Sequence, residues 1–484
     1  MLFNSIEFLV FLPIVFLIYW AIGYAKIKDS LKLRLQNAFV VVASYVFYGW
    51  WDWRFLILIT FTSFCSWGSG LLIEKSPNRK FWMIANIVVN LGILATFKYY
   101  DFFVSEFITT FFAESVQLSL ISSYTLKIIL PVGISFYTFQ ALSYSIDVYR
   151  GNIKPTKDFI AFFAFISFFP QLVAGPIERA TNLLPQFLQK RTFSYEQGVD
   201  GMRQILWGLY KKIVVADNCA MYVNQVLETY DTQSGSTLLL AAILFTFQIY
   251  GDFSGYSDIA IGTAKLFGIK LMRNFNNPYF SRDIAEFWRR WHISLTTWFR
   301  DYVYIPLGGS RVGKWKIVRN TFIIFLLSGF WHGANWTFIA WGAYHAVLFL
   351  PLILLGMNRK YTNQVAEGRW LPNVKESGQI LLTFILAVVG WIIFRATSIS
   401  EAWSIMKGIC DVSLFSMPMV IVGVKRTLLF IVVMLIIEWI NRDKEYALSL
   451  NRLPQWARYI VLYGLILIML ELMGHSQSFI YFQF

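Results

Sequence analysis

Charge is what this sequence has least of. Only 14% of its 484 residues are Asp, Glu, Lys or Arg, whereas a soluble protein of ordinary composition carries about a quarter. With 57% hydrophobic residues and a mean hydropathy of +0.54, the chain has more apolar surface than one water-soluble core can hide. That excludes a soluble globular enzyme and makes lipid the solvent for much of the chain. Cysteine is scarce too. Cys65, Cys219 and Cys410 lie far apart, which excludes a local metal or thiol-redox motif, and each reads as a small buried hydrophobe. The sequence has no G-x-S-x-G elbow, so a serine hydrolase is unsupported. Gly308 and Gly313-Lys314 have phosphate-loop spacing, but Trp315 replaces the magnesium-binding hydroxyl and no strand is expected before it. Four histidines are too scattered for a local metal motif, so no metal is expected. With no internal repeat, low-complexity tract or soluble domain, residues 1–484 read as one membrane domain.

Aromatic residues, in contrast, reach 19%, with 19 Trp, as suits wide belts at the two membrane interfaces. The net charge of +14 sits in short basic blocks between apolar runs, a pattern that sets membrane orientation and does not read as nucleic-acid binding. The first 25 residues lack a basic start and a small-residue cleavage site, so they read as a retained span. Apolar runs long enough to cross a bilayer are 4–25, 35–53, 55–73, 81–112, 125–148, 203–227, 237–262, 321–356, 378–395, 426–440 and 459–473. The expectation is an all-α polytopic protein with about eleven transmembrane helices. The runs 81–112 and 321–356 are long enough to be kinked or double, and the Pro-broken run 158–176 suits a re-entrant segment. Lys26, Lys28, Lys32 and Arg34 follow the first span, and 11 basic residues face three acidic ones between 265 and 319. Both blocks belong in the cytoplasm, which places the N-terminus outside. Arg442, Lys444, Arg452 and Arg458 precede the last span and no Lys or Arg follows it, so residues 475–484 read as an extracytoplasmic aromatic tail.

Two histidines stand out. His332 lies 13 residues past Arg319 in Ser328-Gly-Phe-Trp-His332-Gly-Ala-Asn-Trp336, about 20 Å along a helix and hence deep in a hydrocarbon core of about 30 Å. An ionisable side chain there is costly and points to function, and Gly333-Ala334-Asn335 offers a place for the helix to break. His292 lies in the run 282–300, which on a helical wheel forms one amphipathic cytoplasmic-side helix. Its rings (Phe287, Trp288, Trp291, Trp298) occupy one arc and its guanidiniums (Arg282, Arg289, Arg290, Arg300) the other, with His292 turned inward. His345, among apolar neighbours, reads as a satisfied structural histidine, and His475 as interfacial.

Several motifs together resemble the membrane-bound O-acyltransferase family. They are Asn274-Phe-Asn-Asn-Pro-Tyr-Phe-Ser281, Glu286-Phe-Trp-Arg-Arg-Trp-His292, Trp298-Phe-Arg-Asp-Tyr302, Tyr304-Ile-Pro-Leu-Gly-Gly309 and, most specifically, Phe330-Trp-His-Gly333. Pro131-Val-Gly-Ile-Ser-Phe-Tyr137, Phe169-Pro-Gln-Leu-Val-Ala-Gly-Pro176 and Asp252-Phe-Ser-Gly-Tyr-Ser-Asp258 extend the match over most of the chain. Within the family the sequence is most similar to the bacterial branch that acetylates exported polysaccharides, typified by the alginate O-acetylation membrane protein. The resemblance implies helices around a central pore in the bacterial cytoplasmic membrane, a cytoplasmic acetyl-CoA donor and no bound cofactor. It also implies an exported polysaccharide acceptor, reached through a separate extracytoplasmic acetyltransferase of the SGNH type. His332 would be the general base. His292 would orient the donor or stabilise the oxyanion, with help from Asn335 or a backbone amide. Trp288, Arg289 and Arg300, with Arg290, Arg311 and Lys314, would meet the donor. The ending Ser478-Phe-Ile-Tyr481-Phe-Gln-Phe484 resembles the aromatic-tyrosine motif of the small partner peptide in the D-alanylation system, which makes Tyr481 a candidate covalent acyl carrier. Alternatives are a D-alanyl, lipid or protein O-acyltransferase on the same fold, and a transporter, although the repeats and charge clusters of a transporter are missing.

Overall fold

A computed structural model describes residues 1–112, 114–126, 129–419, 423–450, 453–473, 477, 479 and 480. The regular elements of the described residues are all helices, with no strand among them, and they form two compact units, one of residues 1–197 and 264–271, the other of residues 198–263 and 272–484.

In the first unit the helices are α1 (Ile6–Tyr24), α2 (Asp29–Gly49), α3 (Phe55–Lys75), α4 (Arg79–Lys98), α5 (Tyr100–Phe111), α6 (Glu114–Tyr124), α7 (Ile134–Arg150), α8 (Phe159–Ser167), α9 (Phe169–Leu172) and α10 (Ala180–Phe187). The long run 81–112 divides at Tyr99 into two helices. The Pro-broken run 158–176 is two short helices whose irregular join is buried, so its backbone is shielded from lipid as it must be. Gly133, at φ +77, opens α7 where a Cβ would lie 2.4 Å from the Leu172 carbonyl oxygen. Polarity is inverted relative to a soluble protein. Leu9 and Leu17 of α1 face outward at 66% exposure, while α3 buries Thr62, Ser63 and Ser66. Ser66 donates to Asn86 at 3.1 Å and Asn86 to Ser145 at 2.6 Å, tying α3, α4 and α7 by polar bonds.

Residues 195–472 form α11 (Tyr195–Leu209), α12 (Asp217–Leu227), α13 (Gly235–Leu266), α14 (Ile284–Arg290), α15 (Ile293–Phe299), α16 (Lys314–His332), α17 (Trp336–Leu354), α18 (Val374–Arg395), α19 (Ile399–Ile409), α20 (Val424–Ile440) and α21 (Gln455–Leu472). A π-helical segment, Tyr210–Ala216, joins α11 to α12. Seven described helices are long and apolar enough to cross a membrane: α1, α3, α4, α13, α17, α18 and α21. The other expected spans are shorter, as α7 and α20 at 17 residues each, or begin with charged residues, as α2 and α16. The run 203–227 is interrupted by the π segment.

Glycine sets two helix crossings in the second unit. A Cβ on Gly208 would sit 2.5 Å from the Gly255 carbonyl oxygen, and one on Gly262 the same distance from that of Gly201. Backbone therefore touches backbone between α11 and α13 at seven-residue intervals. Between α16 and α17, a Cβ on Gly329 would meet the Phe338 carbonyl oxygen at 2.1 Å, and one on Gly342 that of Phe325 at 2.3 Å.

The stretch 282–300 is not the single amphipathic helix that its side-chain pattern suggests. It is two short helices, α14 and α15, broken at His292, whose backbone is left-handed (φ 42, ψ 54). Hydrogen bonds from elsewhere override helical propensity at that point. The Ile293 amide donates to the Asn274 backbone carbonyl at 2.9 Å, and the Ser294 hydroxyl to the Asn274 side-chain oxygen at 2.9 Å.

Candidate active site

His332 is the last residue of α16, and the sequence ends the helix there for local reasons. Gly333 is extended, and a Cβ at that position would lie 2.2 Å from the Phe338 ring. Asn335 then caps α17, its side-chain oxygen accepting from the Thr337 amide at 3.0 Å. The buried imidazole stands among aromatic edges, with ring centroids 5.2 Å from Trp341, 5.1 Å from Phe394 and 4.9 Å from Trp331.

His292 is held differently. Its Nδ1 is 3.1 Å from the Asn274 side-chain oxygen, and Asn274 in turn donates to the Ser257 hydroxyl on α13 at 3.0 Å. Phe253 of α13 meets the imidazole edge-on at 4.6 Å. The other nitrogen, Nε2, is buried with no hydrogen-bond partner among the described residues. Burial pulls the pKa of His292 down to about 3, so the ring is neutral at any working pH. Trp331 lies 5.9 Å from His292 and adjoins His332. The structure thus brings the two expected histidines to either side of one indole.

The other expected site residues take different places. Trp288 is buried against Trp341 and His345 at 5.5 and 4.9 Å, inside the aromatic packing. Arg289 donates to the backbone carbonyls of Asn358 and Tyr361 at 2.5 and 2.6 Å, clamping the loop that follows α17. Arg290 pairs with Glu286 at 2.8 Å, and Arg300 with its neighbour Asp301 at 2.7 Å. Arg311 and Lys314 are exposed. The Asn335 amide group donates to the Thr397 carbonyl at 2.9 Å while its oxygen caps α17. Tyr481 and His475 lie outside the described residues. Nearby residues do not: Phe479 and Ile480 are fully buried, with Phe479 4.1 Å from Tyr256 and 6.4 Å from the same Phe253 that touches His292.

Three features escape a reading of the sequence. Asn274 fixes His292 from 18 residues upstream; its place in a recognisable motif was the only signal. His345 is not hydrogen-bonded at either ring nitrogen among the described residues. Its Nε2 faces Gly390, where a Cβ would lie 2.8 Å away, so the satisfied structural histidine expected from its apolar neighbours is corrected. Lys212, Asp217 and Asp252 form a buried ionic cluster, foreshadowed only by charges inside apolar runs.

Residues 82–362, which include both histidines, match the family model described as MBOAT, membrane-bound O-acyltransferase family. The chain belongs to that family. It is 40% identical over 411 residues to the probable alginate O-acetylase of Pseudomonas aeruginosa, covering 83% of this chain and 74% of that one. It is 35% identical over 440 residues to the peptidoglycan O-acetyltransferase of Helicobacter pylori, covering 84% and 79%. To the teichoic acid D-alanyltransferase of Bacillus subtilis it is 30% identical over 280 residues, covering 54% and 68%. The chain is thus a membrane-embedded acyltransferase.

Proposed function

We propose that this protein takes acetyl from acetyl-CoA on the cytoplasmic side of a bacterial inner membrane and passes it outward for O-acetylation of an exported polysaccharide. Both ends of the sequence would lie outside, and a separate SGNH-type acetyltransferase would complete delivery. The observation that carries the reading is a line of ring contacts through the second unit: Phe479 to Phe253, Phe253 to His292, His292 to Trp331, and Trp331 to His332. It ties a catalytic-type histidine to the stretch that runs directly into Tyr481. The greater identity and coverage with acetyl-transferring relatives favour acetyl over D-alanyl as the group moved.

In this reading His332 removes the phenol proton of Tyr481, which at a pKa near 10 needs such a base. The phenolate oxygen attacks the thioester carbonyl, and the collapsing tetrahedral intermediate breaks the carbon–sulfur bond. The imidazolium returns its proton to the departing thiolate, leaving acetyl-tyrosine ester and CoA thiol. A hydroxyl on the outer side then takes the acetyl and regenerates the phenol. His292, neutral and held at Nδ1, offers Nε2 to orient the donor. Membranes supplied with labelled acetyl-CoA test the scheme. Label should appear on a peptide containing Tyr481 and vanish in His332→Ala and Tyr481→Phe. Undiminished CoA release in His332→Ala would refute the base assignment. Undiminished outward transfer in Tyr481→Phe would remove the carrier and leave the rest standing.

A further inference from the structure

The buried cluster around Lys212 is complete only when Gln477 and Ile480 are counted in. An ammonium has three protons to give. Lys212 directs its nitrogen to Asp217 at 2.8 Å, to Asp252 at 2.8 Å and to the backbone carbonyl of Gln477 at 3.0 Å. The second oxygen of Asp252 accepts the Ile480 amide at 2.7 Å. One cation facing two carboxylates leaves an excess negative charge, and burying such an excess is costly unless further donors meet it. Here the further donor is the Ile480 amide of the segment itself. The lysine reaches this point because the π segment carries it beside the glycine-lined crossing of α11 and α13. Phe479 fills the gap between the two polar bonds, packed on Tyr256 one helical turn beyond Asp252.

We infer that Lys212, Asp217 and Asp252 form a clasp for the backbone of residues 477–480, which anchors the acyl-carrying segment at the active site. The inference rests on the proposed carrier role of Tyr481 for its purpose, though not for its geometry. Ile480 is one residue, about 3.8 Å between Cα atoms, from Tyr481. The clasp therefore tethers the chain one residue before the proposed carrier. The clasping residues act through that segment and are positioning residues.

Hydrogen–deuterium exchange on the full chain in nanodiscs tests the clasp directly. Asp252→Ala removes the acceptor for Ile480 yet leaves Lys212 paired with Asp217, a neutral pair. Lys212→Met would strand two buried carboxylates and is the poorer test. In Asp252→Ala the peptide holding residues 477–480 should exchange at least tenfold faster, while peptides from α16 and α17 keep their wild-type rates. Unchanged exchange at 477–480 overturns the clasp. Should the substitution loosen α16 and α17 as well, the reciprocal experiment decides. Ending the chain after Ser476 should speed exchange in peptides spanning 208–216 and 248–256, and no change there also overturns the proposal. The link to transfer has its own readout. Asp252→Ala should lower kcat for outward transfer about tenfold or more with KM for acetyl-CoA unchanged, and Asp252→Asn, which keeps an acceptor oxygen, should recover part of it. Normal kcat with a freely exchanging segment would sink the positioning role. Normal transfer by Tyr481→Phe would sink the carrier and leave the exchange result intact.

Discussion

The region around His292 holds its imidazole by a hydrogen bond to a distant asparagine, whereas the region around His332 surrounds its imidazole with indole and phenyl edges. At His292 the backbone is forced left-handed, at a cost of about 1–3 kcal/mol for a residue with a Cβ, and Asn274 holds one ring nitrogen while joining the same loop to α13. At His332 the backbone is ordinary helix to its last residue, and the walls are indole and phenyl edges. A ring held at one nitrogen keeps its tautomer and its aim, as an orienting group requires. A ring walled by aromatic edges at the end of a helix keeps its place beside Trp341 and Phe394, which suits the base proposed for it. The same residue type thus sits in two kinds of surroundings, which suit the two tasks proposed for it.

That contrast can be broken experimentally. The largest effect is expected from His332→Ala, which should slow acetyl transfer about 10³-fold with only a minor change in melting temperature; a fall below tenfold in CoA release would equate the two regions. His292→Ala should cost about 10–100-fold, and His292→Asn, which tolerates the left-handed backbone, should restore thermal stability without restoring rate. Equal recovery of both would make His292 a packing residue. Asn274→Ala comes next, with about tenfold in rate and about 1–3 kcal/mol in stability from the stranded partners. Its melting curve and turnover should fall together, since one side chain supports both. Smallest is Asn335→Ala, expected to cost about 1 kcal/mol as a lost helix cap and less than about threefold in kcat. A loss of about 100-fold would instead make it an oxyanion donor of the kind that costs that much when removed.

How much of this was legible in the sequence depends on how far apart the partners are. His332 could be singled out because its signal is local: an ionisable group in an apolar run, with Gly333 and Asn335 beside it to end one helix and start the next. The divisions of 81–112 and 321–356 were legible from length alone. The break at His292 was not, because the bonds that impose it come from Asn274, and the ring and guanidinium pattern of 282–300 suits two short helices as well as one long one. Arg289 looked like a donor contact because a charge advertises itself, whereas the backbone carbonyls of Asn358 and Tyr361 that take it have no side-chain signature. Lys212 and its partners at 217, 252, 477 and 480 are brought together only by the fold. About eleven spans were counted from apolarity, and seven described helices meet both length and apolarity; residues facing protein can be polar, which blurs any count made from hydropathy.

The π segment between α11 and α12 makes this part of the chain unusually sensitive to residue count. A π segment is an α-helix with the loop of its hydrogen bonds widened by one residue. Losing one residue there would restore a regular α-helix whose flanks keep nearly their present directions, because the widened turn is what absorbs the extra residue. The wide turn that presents Lys211 and Lys212 would be lost. Those two lysines face different acids, Asp258 for the first and the Asp217–Asp252 pair for the second. A one-residue deletion would therefore take away the widened turn that aims the two lysines at separate acids, while the helices on either side stayed in place. The residue count of the segment thus matters to these ion pairs more than to the course of the helices around it.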